Sequence, residues 1–239
     1  STMLGYDLEN SSNYLSAVKD TLYDRDHHLF YFLKGHGYKN FRLVPLPEYE
    51  RDKIPWDQYK TFYAVDQWIK FTDLGLGTSN HSRLGWRGAP PDQYSLNYAF
   101  NNYLQKESEP FSLFFITQNS HQPFFAPSSI SKDWREAEVT EIKEIGFFHT
   151  EVSKQDYANA IGYELDLIGD FILKNGNDND NDLFIIMGDH QPPILSSDSD
   201  GKETPVFIIS QDSNFVDGFK NYDFVEGVFP EEQQEEVLH

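Results

Sequence analysis

The chain has 239 residues and a formal net charge of −20, from 39 Asp and Glu against 19 Lys and Arg. Nucleic-acid and anionic-lipid surfaces draw their affinity from clustered Lys and Arg, and the sequence has no basic cluster, so it argues against both partner classes. Hydrophobic residues at 38% and aromatics at 16% supply the core that a disordered chain lacks, in a length suited to one large domain or two small ones. The absence of cysteine removes disulfides, thiolate metal sites and Cys nucleophiles together. No apolar stretch approaches the roughly 20 residues that span a bilayer, and no signal-peptide pattern is visible.

Taken in chain order, the first expected helix covers Asp26 to Lys34, with His27 and His28 in its charged, solvated start. A strand, Phe41-Arg42-Leu43-Val44, follows the turn Gly35-His36-Gly37-Tyr38. Trp56 and Trp86 fall in loop-like segments, where a tryptophan either walls a pocket or packs the loop onto the domain. Pro90-Pro91-Asp92 starts a helix over Gln93 to Gln105, with Asp92 near its positive end. Phe111 to Thr117 is short, apolar and bounded by polar residues, as a buried strand is.

The clearest helix runs from Ser153 to Lys174. Tyr157, Ile161, Leu165, Ile168 and Ile172 form its apolar stripe, Ser153 and Asp156 suit a capping box, and Gly176 suits its end. Asn175 to Asp182 is then a polar loop. Leu183 to Met187 and Val206 to Ile209 are two more candidate buried strands. Near-continuous apolar strands alternating with amphipathic helices predict an α/β fold: three layers, a mostly parallel sheet with helices on both faces. Ligands in such folds sit beyond the carboxyl ends of the strands, which singles out the loops Gln118 to Pro127 and Gly188 to Leu195.

Gly188-Asp189-His190 leaves the end of an apolar run. A carboxylate and an imidazole side by side offer one hard oxygen and one borderline nitrogen, which Zn²⁺ and Mn²⁺ accept, whereas Ca²⁺ and Mg²⁺ prefer oxygen shells. The alternative is a plain turn, with Asp189 capping a backbone group and His190 merely exposed. His121, in Gln118-Asn119-Ser120-His121-Gln122-Pro123-Phe124, also follows an apolar strand. It suits either a metal ligand or a donor to an anionic oxygen, or else an ordinary loop histidine. The chain has no Gly-rich nucleotide fingerprint and no Gly-x-Ser-x-Gly elbow.

The order of these motifs resembles the sulfatase-like branch of the alkaline phosphatase superfamily. Its parts are Ser-His-Gln-Pro-Phe after one strand, a helix with Tyr157-Ala158-Asn159-Ala160-Ile161-Gly162-Tyr163, Gly-Asp-His-Gln-Pro after another, then Thr204-Pro205-Val206-Phe207-Ile208-Ile209. Within the branch the chain is similar to membrane-anchored bacterial proteins related to lipoteichoic acid synthase and the phosphoglycerol transferases.

The resemblance implies an alkaline-phosphatase-like fold lacking its first strand and helix, and a carboxyl-terminal portion of a sulfatase-like domain over residues 1–239. It implies Asp189 and His190 as metal ligands, His121 and Trp56 as substrate-binding residues, and a divalent cation (Mn, Zn, Ca or Mg). The implied chemistry is hydrolysis or transfer of a phosphate or sulfate ester, possibly lipid- or glycan-linked. The implied setting is outside the cytoplasmic membrane of a bacterium, with an anchor in an amino-terminal region. The nucleophile is expected upstream of Ser1. The competing expectation is a degenerate, non-catalytic domain that binds an anionic glycan or a protein partner.

Overall fold

Parallel strands cannot be joined by tight turns, and each needs a crossover that covers a face of the sheet. A computed structural model of the chain has such parallel strands among the described residues of its first unit. The structure describes residues 28–47, 63–76, 88–124, 126–139, 152–176, 182–192, 195–197, 201 and 203–227. The chain divides into two compact units, Ser1–Leu167 and Ile168–His239.

In the first unit, α1 (Leu29–Gly35) leads into β1 (Lys39–Val44), which is followed by β2 (Gln67–Lys70), α2 (Asp92–Asn102) and β3 (Phe111–Phe115). The sheet order is β2-β1-β3, with both pairings parallel. Phe41 stands opposite Gln67 on one side and Leu113 on the other. As the central strand, β1 is the most buried: Asn40, Phe41 and Leu43 are shut off from solvent, and Phe41 and Leu43 pack with Ile69, Leu74, Tyr94, Ala99, Leu104 and Ala137.

The expected start of α1 needs correction. His28 is not solvated but buried, and its Nδ1 accepts the backbone N–H of Phe30 at 3.2 Å as the helix N-cap. That burial holds its imidazole below the ordinary histidine range, in the neutral form that can accept. His27 and Trp86 lie outside the described residues.

The long helix α3 (Lys154–Asn175) starts where the capping box predicts. The backbone N–H of Ser153 donates to Asp156 Oδ2 at 2.8 Å, and the N–H of Asp156 donates to Ser153 Oγ at 3.1 Å. The Ser153 hydroxyl, then its backbone N–H, hold the Asp156 carboxyl below its usual range. The buried face, however, is not the expected stripe. Ala160, Tyr163, Glu164, Leu167 and Phe171 are buried, while Leu165 is 54% exposed. The stripe of large apolar residues is thus turned by about one position from the face that packs. Shape and proximity chose a face containing Ala160 and a carboxyl.

Glycines in α3 differ in what surrounds them. A Cβ on Gly162 or Gly169 would meet nothing within 4 Å, whereas one on Gly176 would lie 2.6 Å from the carbonyl oxygen of Ile172. That carbonyl accepts the Gly176 N–H at 2.7 Å and ends the helix. Gly162→Ala or Gly169→Ala should stabilise the chain by roughly 0.5–1 kcal/mol, through helix propensity and reduced unfolded-state freedom. Gly176→Ala should destabilise it. Thermal melts of the three variants check the opposite signs.

The second unit holds β4 (Leu183–Met187), β5 (Val206–Ser210) and α4 (Ser213–Asp217). β4 has the expected bounds, but it pairs antiparallel with β5, Leu183 opposite Ser210 and Met187 opposite Val206. The expectation of full burial also fails here. Leu183, Ile185 and Met187 are 45%, 49% and 44% exposed, while Phe184 and Ile186 are half-buried. An all-apolar run therefore behaves as an alternating strand with one face covered.

Candidate functional site

The His190 ring is oriented by its own neighbour. Pro192 disfavours helical backbone at Gln191. The Gln191 carbonyl lies 2.8 Å from His190 Nδ1. A carbonyl can only accept, so Nδ1 carries the hydrogen, and in the neutral ring Nε2 keeps its lone pair. This is the tautomer a metal-binding histidine requires, with the outer bond to a carbonyl that commonly accompanies it. His190 Nε2 lies 3.6 Å from Asp189 Oδ2, and the side chains are 60% and 82% exposed. Two ligands at about 2.0–2.1 Å on a tetrahedral ion stand roughly 3.4 Å apart, so both side chains fit one cation with little adjustment. Among the described residues no group of three or more His, Cys, Asp or Glu gathers into a metal cage, so the pair would leave a coordination shell open.

Gly188 serves this corner through its lack of a side chain and not through a left-handed turn. Its φ is not in the left-handed region. Instead, a Cβ there would stand 3.0 Å from Thr204 Cβ and 3.2 Å from Pro205 Cδ, and the Gly188 N–H donates to the Pro205 carbonyl at 3.0 Å. Close approach of the segment entering β5 is what requires glycine at the end of β4.

His121 repeats the arrangement in the first unit. It is followed by Gln122-Pro123, as His190 is followed by Gln191-Pro192, and its Nδ1 donates to the Gln122 carbonyl at 2.7 Å. Nε2 is then the acceptor nitrogen of the neutral ring. It suits a metal or a proton to be taken up, and it donates to an anionic oxygen only after gaining a second proton. His121 sits at the surface on a tight loop, where its N–H donates to the Gln118 carbonyl and its own carbonyl accepts from Phe124 N at 2.8 Å. His121 and the Asp189–His190 pair belong to different units. Trp56 lies outside the described residues.

A buried cluster beneath the His121 loop has no counterpart in the sequence reading. Asp92, the first residue of α2, is fully buried, and its Oδ2 accepts the backbone N–H groups of Gln118 and Asn119, both at 2.6 Å. Asn119 Oδ1 returns the contact by accepting the Asp92 N–H at 2.8 Å. Glu164 of α3 is buried beside Asp92, and neither carboxylate oxygen of Glu164 has a hydrogen-bond partner. Burial raises the Asp92 carboxyl to about 6, against the pull of Glu164 and the two amides. Burial, and then the neighbouring Asp92 charge, raise Glu164 well above the carboxylate range. Asp92 was legible only as a helix-start residue. Glu164 gave no signal, because a carboxyl on an amphipathic helix ordinarily faces water.

A sequence model of the Sulfatase family matches residues 1–217. No protein of curated function matches the chain. Among solved structures, the chain is similar to a crystal structure of a protein in the alkaline phosphatase superfamily from Vibrio parahaemolyticus, with a TM-score of 0.50 and 21% identity. The match covers 77% of this chain and 41% of that one, so the chain spans about two fifths of its length.

Proposed function

Since the chain belongs to the sulfatase family, and has an α/β fold similar to the alkaline phosphatase superfamily, we propose that it provides metal ligands and an anion-binding histidine to a metal-dependent hydrolase or transferase of phosphate or sulfate esters. The observation that carries this reading is the Asp189–His190 corner. Its carboxylate and imidazole are 3.6 Å apart, and His190 Nδ1 is committed to the Gln191 carbonyl.

A divalent cation held there would polarise an ester oxygen and lower the pKa of a hydroxyl nucleophile. Asp189 would supply negative charge to the cation, and His190 Nε2 a neutral donor. His121, held by the Gln122 carbonyl, would accept a proton or, once protonated, bind the anionic group. The nucleophile is the part that the resemblance assigns upstream of Ser1, and Trp56 is proposed for the substrate pocket. This reading makes the chain the carboxyl-terminal portion of a single sulfatase-like domain. It also carries an extracytoplasmic setting in a bacterial inner-membrane protein. Among the described residues no helix is long and apolar enough to cross a membrane.

The test uses the intact enzyme with an aryl phosphate and an aryl sulfate, with and without a chelator. Asp189→Ala should lower kcat/KM at least about a hundredfold, since even outer-shell changes cost about ten- to a hundredfold. An activity indifferent to both the chelator and the substitution would remove Asp189 from the metal site.

A further inference from the structure

Two carboxyls are buried together in the first unit. Asp92 comes from the N-terminus of α2 and Glu164 from the middle of α3. Against them pass the residues that lead to His121. The amides of Gln118 and Asn119 donate to Asp92, and the amide of Ser120 lies on the Glu164 side and favours its charged form. Three successive backbone N–H groups thus face one acid pair.

No lysine, arginine or histidine among the described residues pairs with either acid. Among the described residues the other group facing the pair is neutral. Tyr163 of α3 is buried, with its hydroxyl unpaired, and burial and then the two carboxyls push its titration far upward. Gln93 of α2, next to Asp92 in sequence, turns its side chain to the backbone of Ser131. The loop itself contributes amides and no titratable side chain before His121.

Two carboxylates cannot both ionise in such a space without a cation, and two neutral acids would weaken the short bonds to the amides. One negative charge and one proton satisfy both constraints. Asp92, with two N–H donors, is the favoured seat of the charge. Glu164, with none in bonding geometry, is the favoured seat of the proton.

We propose that Asp92 and Glu164 hold a single proton between them and form a pH-sensitive latch that fixes the loop 118–121, and with it the position of His121. Asp92 and Glu164 are positioning residues in this account, and the latch stands whether or not His121 meets a substrate. Loss of the Glu164 proton places two like charges side by side against the loop and loosens it. Gain of a proton by Asp92 relaxes its bonds to the Gln118 and Asn119 amides but removes the last buried charge, so it loosens the loop without lowering the stability of the unit.

The sign follows from the raised titration of both acids. The folded state binds more protons than the unfolded chain between the ordinary carboxyl range and the raised values. The pair's contribution to stability is therefore fully present in acid below the unfolded value, and it is lost as pH rises through the folded values.

The experiment uses the isotopically labelled 239-residue chain. Side-chain carboxyl carbons and the Gln118 and Asn119 amides are followed by NMR from pH 4.5 to 9. Thermal midpoints of the chain and of Glu164→Gln are compared at pH 5 and pH 8. We expect the two amides to titrate together with Asp92 near pH 6, and the Glu164 carboxyl carbon to be in its protonated position at pH 7. Glu164→Gln should match the parent midpoint at pH 5 and exceed it at pH 8, with the amide positions retained. Amides that titrate in the ordinary carboxylate range, or an ionised Glu164 at pH 7, would overturn the latch. So would a Glu164→Gln difference that is the same at both pH values. If that variant does not fold, the carboxyl and amide titrations of the unsubstituted chain decide alone.

Discussion

Replacing Phe41 with Ala should lower the unfolding free energy of the first unit by about 3–5 kcal/mol, and Phe41→Leu by about 1.5 kcal/mol or less. The residue is 0% exposed in the central strand of a parallel sheet, so both its faces and both its neighbours are fixed. Its ring meets Phe111 edge-on, with centroids 6.4 Å apart, and Lys39 Nζ lies 5.1 Å from its centre. β1 is hydrogen-bonded to strands on both sides, so it cannot move to fill the space that truncation leaves. The loss is a large share of the roughly 5–15 kcal/mol by which a domain is stable. Urea unfolding followed by circular dichroism measures it. A loss below about 1 kcal/mol would mean that the core around β1 relaxes freely, against the close packing that makes truncation costly.

The second large effect is polar. Asn40→Ala should cost about 2–4 kcal/mol, because it orphans several groups at once. Asn40 is fully buried, and its Nδ2 donates to the carbonyls of Phe30 at 2.8 Å and Ala64 at 3.0 Å. Its Oδ1 accepts from Ser112 Oγ at 2.7 Å. One amide thus fastens α1, the segment entering β2, and β3 onto β1. Its backbone is tied as well, with the Asn40 N–H on Asp66 Oδ2 at 2.9 Å and the Asp66 N–H on the Asn40 carbonyl at 2.8 Å. Asn40→Asp separates hydrogen bonding from shape. A carboxylate there would face two carbonyl oxygens, so the variant should be destabilised more at pH 8 than at pH 5, where protonation restores one donor. Equal loss at both pH values would show that packing, not donation, is what Asn40 contributes.

Reading the sequence located elements better than it located faces. β4 has the expected ends because an apolar run bounded by Asp182 and Gly188 is a local feature. α3 begins beside Ser153 and Asp156 because a capping box closes within four residues. The strand β2 was missed. Gln67-Trp68-Ile69-Lys70 has no apolar run, and only Ile69 is buried among them. It is a strand because β1 lies beside it in parallel register, which no window of four residues can reveal.

For the candidate site, residue types and spacing singled out Asp189, His190 and His121, all of which fall within the residues 1–217 that the family model matches. The His-Gln-Pro steps after two strands also fix how both rings are held, since each Nδ1 finds a carbonyl one residue away. These are short-range arrangements, set by backbone restrictions that proline imposes on its neighbour. Tertiary structure alone decided that Gly188 must lack a side chain against Thr204 and Pro205, and that Leu165 rather than Glu164 meets solvent. It alone brought Asp92 and Glu164 together beneath the His121 loop. The physical reason is the same in each case. A hydrogen bond closed within a few residues is written into their order, whereas a buried charge is defined by neighbours that only the folded topology supplies.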